Sequence, residues 1–191
     1  MKRLITLLAL LPLLAACGLP SDGAPRQIAD DKVPFELLGP STPTPTSNVA
    51  GGPDVRLYFL DGTQLRAVNR TVSSRDPQLV LKELVKGLID TDPFGITTAI
   101  PKDTQIISVT NDGDTVVVTL NNAILNIGGA EQKNAFGQMV YTATDLGTRA
   151  IRFRVTDASG GNEQDVPTPT DNGAKAEPVT RSDFISLQPK S

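Results

Sequence analysis

Arg149-Ala150-Ile151-Arg152-Phe153-Arg154-Val155-Thr156 alternates at every step, with Ile151, Phe153 and Val155 on one side of an extended chain and Arg152, Arg154 and Thr156 on the other. Successive side chains of a strand point to opposite faces, so the segment predicts a strand buried on one side and wet on the other. Strands of that kind belong to antiparallel or mixed sheets, because all-parallel sheets are covered on both faces and read as continuous apolar runs. Immediately upstream, Ala130 to Leu146 places Phe136, Met139, Val140, Ala143 and Leu146 at helical spacing, with Gly147 as a stop signal. Before that helix, the β-branched runs Thr104 to Thr110 and Thr115 to Leu120 flank Asn111-Asp112-Gly113-Asp114, where Gly and Asp accept the backbone of a tight turn. They predict a hairpin.

Further out, Val55 to Leu60 reads as a strand, Asp61-Gly62 as a hairpin turn and Leu65 to Val72 as its partner. Asp76-Pro77 supplies an N-cap followed by Pro at the first helical position. Leu81, Leu84, Val85 and Leu88 then fall at i, i+3, i+4 and i+7, leaving Lys82, Glu83 and Lys86 on the wet side. The order ββαββαβ predicts a two-layer α+β domain over residues 54–191, an antiparallel or mixed β-sheet with two helices packed on one face. Residues 157–178, rich in Asp, Gly, Pro, Thr and Asn, are expected to loop out before Asp183-Phe184-Ile185 returns as a short apolar hook.

The amino-terminal end follows a different grammar. Met1, Lys2 and Arg3 form a basic head, and Leu4 to Ala16 is apolar apart from Thr6. That run is shorter than the roughly 20 residues a spanning helix needs and reads as a signal peptide, residues 1–16. Leu14-Ala15-Ala16-Cys17 resembles the bacterial lipobox, which implies cleavage between Ala16 and Cys17 and a diacylglyceryl group on the Cys17 sulfur. Two acyl chains hold a protein stably at a bilayer without a basic patch. The expected location is therefore the extracytoplasmic face of the cell membrane. Residues 17–53 read as a tether carrying the tract Pro40-Ser41-Thr42-Pro43-Thr44-Pro45-Thr46, which spans roughly 30 Å as a coil and up to about 110 Å as polyproline II. Within it, Val33-Pro34-Phe35-Glu36-Leu37-Leu38 is apolar and is expected to dock on the domain.

Composition removes several functions. The 191 residues include no His, no Trp and one Cys, with 18 Lys and Arg against 21 Asp and Glu. A His general base, a Ser-His or Cys-His pair, an imidazole metal site, an internal disulfide and a thiolate zinc cage are all out of reach. A net charge of −3 argues against nucleic acid, which rewards clustered Lys and Arg. No catalytic residue, metal or cofactor is expected.

The chain resembles the GerMN (sporulation and spore germination) domain, in the form of small actinobacterial lipoproteins related to the front end of LpqB-like proteins. The residues that carry the likeness are Val33-Pro34-Phe35 with Leu37-Leu38 after Cys17, Leu57-Tyr58-Phe59-Leu60, and Thr98-Ala99-Ile100-Pro101 leading into Ile107-Ser108-Val109. It continues through Gly128-Gly129 with Glu131-Gln132, Gln138-Met139-Val140-Tyr141-Thr142, Arg152-Phe153 and Pro178-Val179-Thr180-Arg181. The resemblance implies a non-catalytic module that binds or assembles at the cell surface. Around Asp157 to Gly161, where the resemblance implies a tight Asp-Gly turn, Ala158-Ser159-Gly160-Gly161 lengthens it.

Several residue groups compete as sites. Gly128-Gly129 could present backbone N–H groups to an anion, though an ordinary helix entry accounts for them, and Glu131 serves the helix dipole. A glycan-cleaving reading needs two facing carboxylates about 5 to 9.5 Å apart. Asp90 and Asp92 beside a helix end, and Asp112 and Asp114 in a turn, each have a local reason to be where they are. The sequon Asn69-Arg70-Thr71 is uninformative in a bacterial lipoprotein. Tyr141 is expected to pack with its hydroxyl at the rim. Tyr58 is expected to face away from Leu57 and Phe59, so that Tyr58, Arg152 and Arg154 form an interaction surface on the uncovered sheet face. The expected partners are the membrane through the lipid, and an envelope protein or wall polymer. A carboxylate-dependent peptidoglycan enzyme and a ring-forming subunit are the alternatives.

Overall fold

The computed structural model describes residues 51–157 and 161–190. Ala16, Cys17 and the 33–38 segment lie outside the described residues. A hairpin, β1 (Asp54–Asp61) and β2 (Gln64–Thr71), opens the domain and leads into α1 (Pro77–Val85). Asp76 caps that helix by accepting the Leu79 N–H at 3.1 Å, with Pro77 at the position where a missing N–H costs nothing. A second hairpin follows, β3 (Ile106–Asp112) and β4 (Thr115–Asn121), then a 3₁₀ turn (Asn122–Asn126), α2 (Gly129–Thr144) and β5 (Ala150–Thr156).

The fold is α+β, with mixed pairing: β4 pairs antiparallel with β3 and parallel with β5. The parallel step is made possible by the crossover through α2, since parallel neighbours cannot be joined by a tight turn. β5 then pairs with the short β6 (Gln164–Asp165), completing the sheet order β3-β4-β5-β6. The stretch after residue 157 is more ordered than its composition predicts. Besides β6 it contains the small hairpin β7 (Thr168–Thr170) and β8 (Gly173–Lys175), and Val179 bridges the outer edge of β5 at Ile151. The hook is a 3₁₀ segment, Arg181–Leu187, closed by a capping box between Thr180 and Asp183. Phe184 is its buried anchor and Ile185, expected to join it, is 64% exposed.

The first hairpin forms its own ladder and does not extend the larger sheet. Gln138 and Thr142, four residues apart on α2, reach across to β1: Tyr58 donates its N–H to Thr142 Oγ1 at 3.1 Å, and its carbonyl accepts from Gln138 Nε2 at 3.0 Å. Two helix side chains thus take the place of a neighbouring strand. Gln138 Oε1 also accepts the Ala99 N–H at 2.8 Å. α2 is consequently buried from Ala135 through Ala143, far beyond the one-sided stripe its spacing predicts. Phe136 packs against Phe153 of β5 with ring centres 4.6 Å apart. The alternating side of β5 is therefore the one the helix covers.

α1 ends at Val85, so Leu88 lies outside the helix and is partly exposed, while Val80 joins Leu81 and Leu84 in the core.

Candidate interaction surface

On the far side of the four-stranded sheet, Arg152 and Arg154 stand beside Val117 and Thr119, their register partners on β4, with Thr110 and Ser108 of β3 beyond. Val117 and Thr119 are buried even on this side. Arg154 is committed within the protein: its Nε donates to Asp165 at 2.9 Å and its Nη1 reaches Glu163 at 3.3 Å. Those hydrogen bonds and the two carboxylate charges raise its pKa. Arg152 differs. It has no ion pair among the described residues, and its Nε is buried without an acceptor. A guanidinium N–H buried without an acceptor carries an uncompensated desolvation cost.

Tyr58 is not on this surface. It is 4% exposed, because β1 is covered by α2 on the side that Tyr58 faces as well as by the core beneath Leu57 and Phe59. Its ring lies 5.6 Å from that of Tyr141, and its hydroxyl donates to Asp145 at 3.1 Å. Burial, reinforced by the Asp145 charge, raises the Tyr58 pKa. Tyr141 is also buried, with its hydroxyl donating to the Phe184 carbonyl at 3.3 Å, and burial raises its pKa. Asp145, just past the end of α2, gathers Arg56 at 2.8 Å and Arg181 at 3.4 Å as well. Arg181 further donates to Thr144 Oγ1 at 2.6 Å and to the Tyr141 carbonyl at 3.0 Å, while its guanidinium lies over both tyrosine rings. A cation on the last carbonyls of a helix is favoured by the helix dipole.

The other candidates resolve into local structure. Gly128 caps α2 without a side-chain bond, and Gly129 takes φ +58°, a left-handed entry that glycine permits. Asp92 is buried against Arg70, accepts the Ile89 N–H at 2.8 Å, and fixes the loop after α1. Asp112 and Asp114 belong to the β3–β4 turn, and Asp114 pairs with Arg149 at 3.3 Å on the open surface. A cavity of about 360 Å³ beside that turn has Asp114 as its one lining carboxylate. The perturbed carboxyl groups shift downward. Burial alone would raise Asp92, Asp171 and Asp183, but hydrogen bonds from Arg70, Lys133, Lys175 and nearby N–H and O–H groups outweigh it, taking Asp171 to about 2. Carboxylates held ionised in this way are proton acceptors poor in driving force and unsuited to donating a proton to a leaving group. Among the described residues no three His, Cys, Asp or Glu side chains converge as a metal site, and no helix is long and apolar enough to cross a membrane.

Two of these arrangements escape sequence reasoning. The Arg70–Asp92 pair has one legible signal: Arg70 shares the core-facing side of β2 with Val68. A charge at an inward strand position points to a buried partner. The cluster at Asp145 leaves no local trace, since its members are dispersed along the chain.

Residues 56–160 match the family profile Germane, described as sporulation and spore germination. The chain belongs to the Germane family. Among solved structures it is similar to a candidate lipoprotein from Clostridium perfringens, at 18% identity over 73% of this chain and 95% of that one, with a TM-score of 0.44. It is also similar to the first GerMN domain of the sporulation protein GerM from Bacillus subtilis, at 18% identity over 69% of this chain and 96% of that one, TM-score 0.46. The tandem GerMN domains of the same protein match at 14% identity over 69% of this chain and 49% of that chain, TM-score 0.46. No curated protein gives a significant match. The Germane span ends at residue 160, and β6, β7, β8 and the 3₁₀ hook follow it.

Proposed function

We infer that this protein is a lipid-anchored extracytoplasmic lipoprotein whose Germane domain contacts a partner in the cell envelope without catalysing a reaction on it. The lipobox-like Leu14-Ala15-Ala16-Cys17 and the Pro-Thr tether support the anchoring half of this reading. The observation that carries the contact half is Arg152, half-buried on the uncovered sheet face with no acidic partner among the described residues, beside an Arg154 that already has two. The partner's matching chemistry is an acidic group, on an envelope protein or on wall polymer, presented to Arg152 beside the hydroxyl groups of Ser108 and Thr110. The downward carboxyl shifts weigh against the peptidoglycan-enzyme alternative, which needs a carboxyl raised so that it can donate.

Two measurements on the full chain in its native cells test the two halves separately. Cys17→Ser should move the protein out of the membrane fraction, and the wild-type mature protein should carry the mass of an acylated amino-terminal cysteine. Arg152→Glu should leave it membrane-bound yet reduce recovery of its partner on co-purification. An unmodified Cys17 thiol contradicts the anchor, and equal partner recovery by wild type and Arg152→Glu contradicts the surface.

A further inference from the structure

The 3₁₀ segment and the end of α2 flank an open cleft of about 300 Å³, lined by Tyr141, Arg181, Ser182, Ile185, Gln188 and Pro189. We propose that this cleft is a second binding site, for the free carboxylate end of a short peptide.

The guanidinium of Arg181 is held on one side and open on the other. Its Nε and Nη2 are bound to Thr144, the Tyr141 carbonyl and Asp145, and its plane is steadied over two tyrosine rings. Nη1 has no hydrogen bond among the described residues, and the side chain is 40% exposed. Orientation is therefore fixed before any ligand arrives, which lowers the entropy cost of binding. The cluster also carries excess positive charge, because Arg56 and Arg181 share the single carboxylate of Asp145. Nearby, Lys175 and Asp183 pair with each other at 3.1 Å and cancel.

The remaining lining selects among anions. Ser182 and Gln188 add neutral hydrogen-bonding groups, whereas Ile185, 64% exposed, and Pro189 form an apolar wall. One open guanidinium edge suits a singly charged carboxylate, since a phosphate dianion rewards several cations or a ring of backbone N–H groups. The apolar wall beside it suits the side chain of a terminal residue such as Ala or Val. The volume is at the low end for ligand clefts and admits one or two residues. This site is built largely on the segment beyond residue 160 and is independent of the surface around Arg152.

The chain has no Trp and two Tyr, Tyr58 and Tyr141, both in this cluster, so intrinsic tyrosine emission of the full chain in detergent reports on it directly. Titration with N-acetyl-alanyl-valine bearing a free carboxylate should give a saturable change by roughly 10 mM, and the same peptide as its carboxamide should not. Gln188→Glu and Ser182→Glu, both exposed positions, should weaken the response at least about tenfold while the melting temperature stays put, and Arg152→Glu should leave it intact. Equal responses to acid and amide, no saturation, displacement of the peptide by equimolar inorganic phosphate, or an unaltered response in both Glu variants would each overturn the proposal.

Discussion

Gly137 sits in the middle of α2, where glycine is about 1 kcal/mol less favourable than alanine, so Gly137→Ala should stabilise an isolated helix by that amount. In this protein a Cβ at position 137 would lie 2.3 Å from Leu187 Cδ1 and 3.3 Å from Phe184 Cδ1. Both side chains belong to the carboxy-terminal hook and both are buried, Phe184 completely and Leu187 to 2% exposure. The new methyl group must displace Leu187, forfeiting most of the roughly 2 kcal/mol its burial contributes, or force strain of about 1–3 kcal/mol into the contact. Set against the helix gain, the expected net change lies between about zero and a loss of about 2 kcal/mol, read from the urea midpoint at constant m-value. Early proteolytic cleavage in residues 181–190 should accompany it. In a Leu187→Ala background the clash is gone, and the same substitution should stabilise by up to about 1 kcal/mol, so the cycle reports a coupling of about 1–3 kcal/mol. Gly137→Ala stabilising the wild-type chain, or behaving alike in both backgrounds, refutes the packing of the hook on α2.

Asp92→Asn leaves buried Arg70 with only Glu83, at 3.7 Å, and Arg70→Met leaves buried Asp92 without its cation, so each should cost about 3–5 kcal/mol in urea unfolding, whereas the two combined should cost distinctly less than their sum. Gln138→Leu strands the Ala99 N–H and the Tyr58 carbonyl, and at about 1–3 kcal/mol for each unsatisfied group it should destabilise by about 2–6 kcal/mol, seen as a lowered midpoint. Asp171, Asp92 and Asp183 have folded pKa values below their ordinary ones, so their contribution is present above about pH 4 and is lost on acidification, for Asp171 as pH falls through about 2. Asp171→Asn should flatten that part of a stability-versus-pH curve. At the alkaline end, Tyr58 and Tyr141 are raised, so their contribution persists to about pH 10 and is lost above it, which ultraviolet titration of tyrosinate follows.

Much of the shared domain is legible because its signals are local. The alternation of Ile151, Phe153 and Val155, the Asp112-Gly113 turn and the Asp76-Pro77 cap each specify an element through neighbours in sequence, and all three appear where the pattern places them. The separate ladder of β1 and β2 was not legible, because it depends on Gln138 and Thr142 bonding to a strand some 80 residues away. Polar residues on a helix read as its wet face until a distant backbone is found to need them. Tyr58 misled for the same reason: alternation fixes which residues share a side, and says nothing of what covers each side. The ordered segment after residue 160 also escapes composition, since Val166, Val179, Phe184 and Leu187 are isolated among polar residues and become a buried set only in space. The side of β5 that carries Arg152 is legible because it alternates with the apolar Ile151, Phe153 and Val155, whereas its lack of a partner emerges only beside the fully paired Arg154.

The central claim is contact through the uncovered sheet face. A photo-crosslinking residue at exposed Thr110, in register with Val117 beside Arg152, tests it in intact cells against the same group at exposed Thr63 in the first hairpin turn. The account predicts one discrete adduct from position 110 that disappears when Arg152→Glu is added, and none from position 63. Identical adducts from both positions, or an adduct at 110 indifferent to Arg152→Glu, would contradict it.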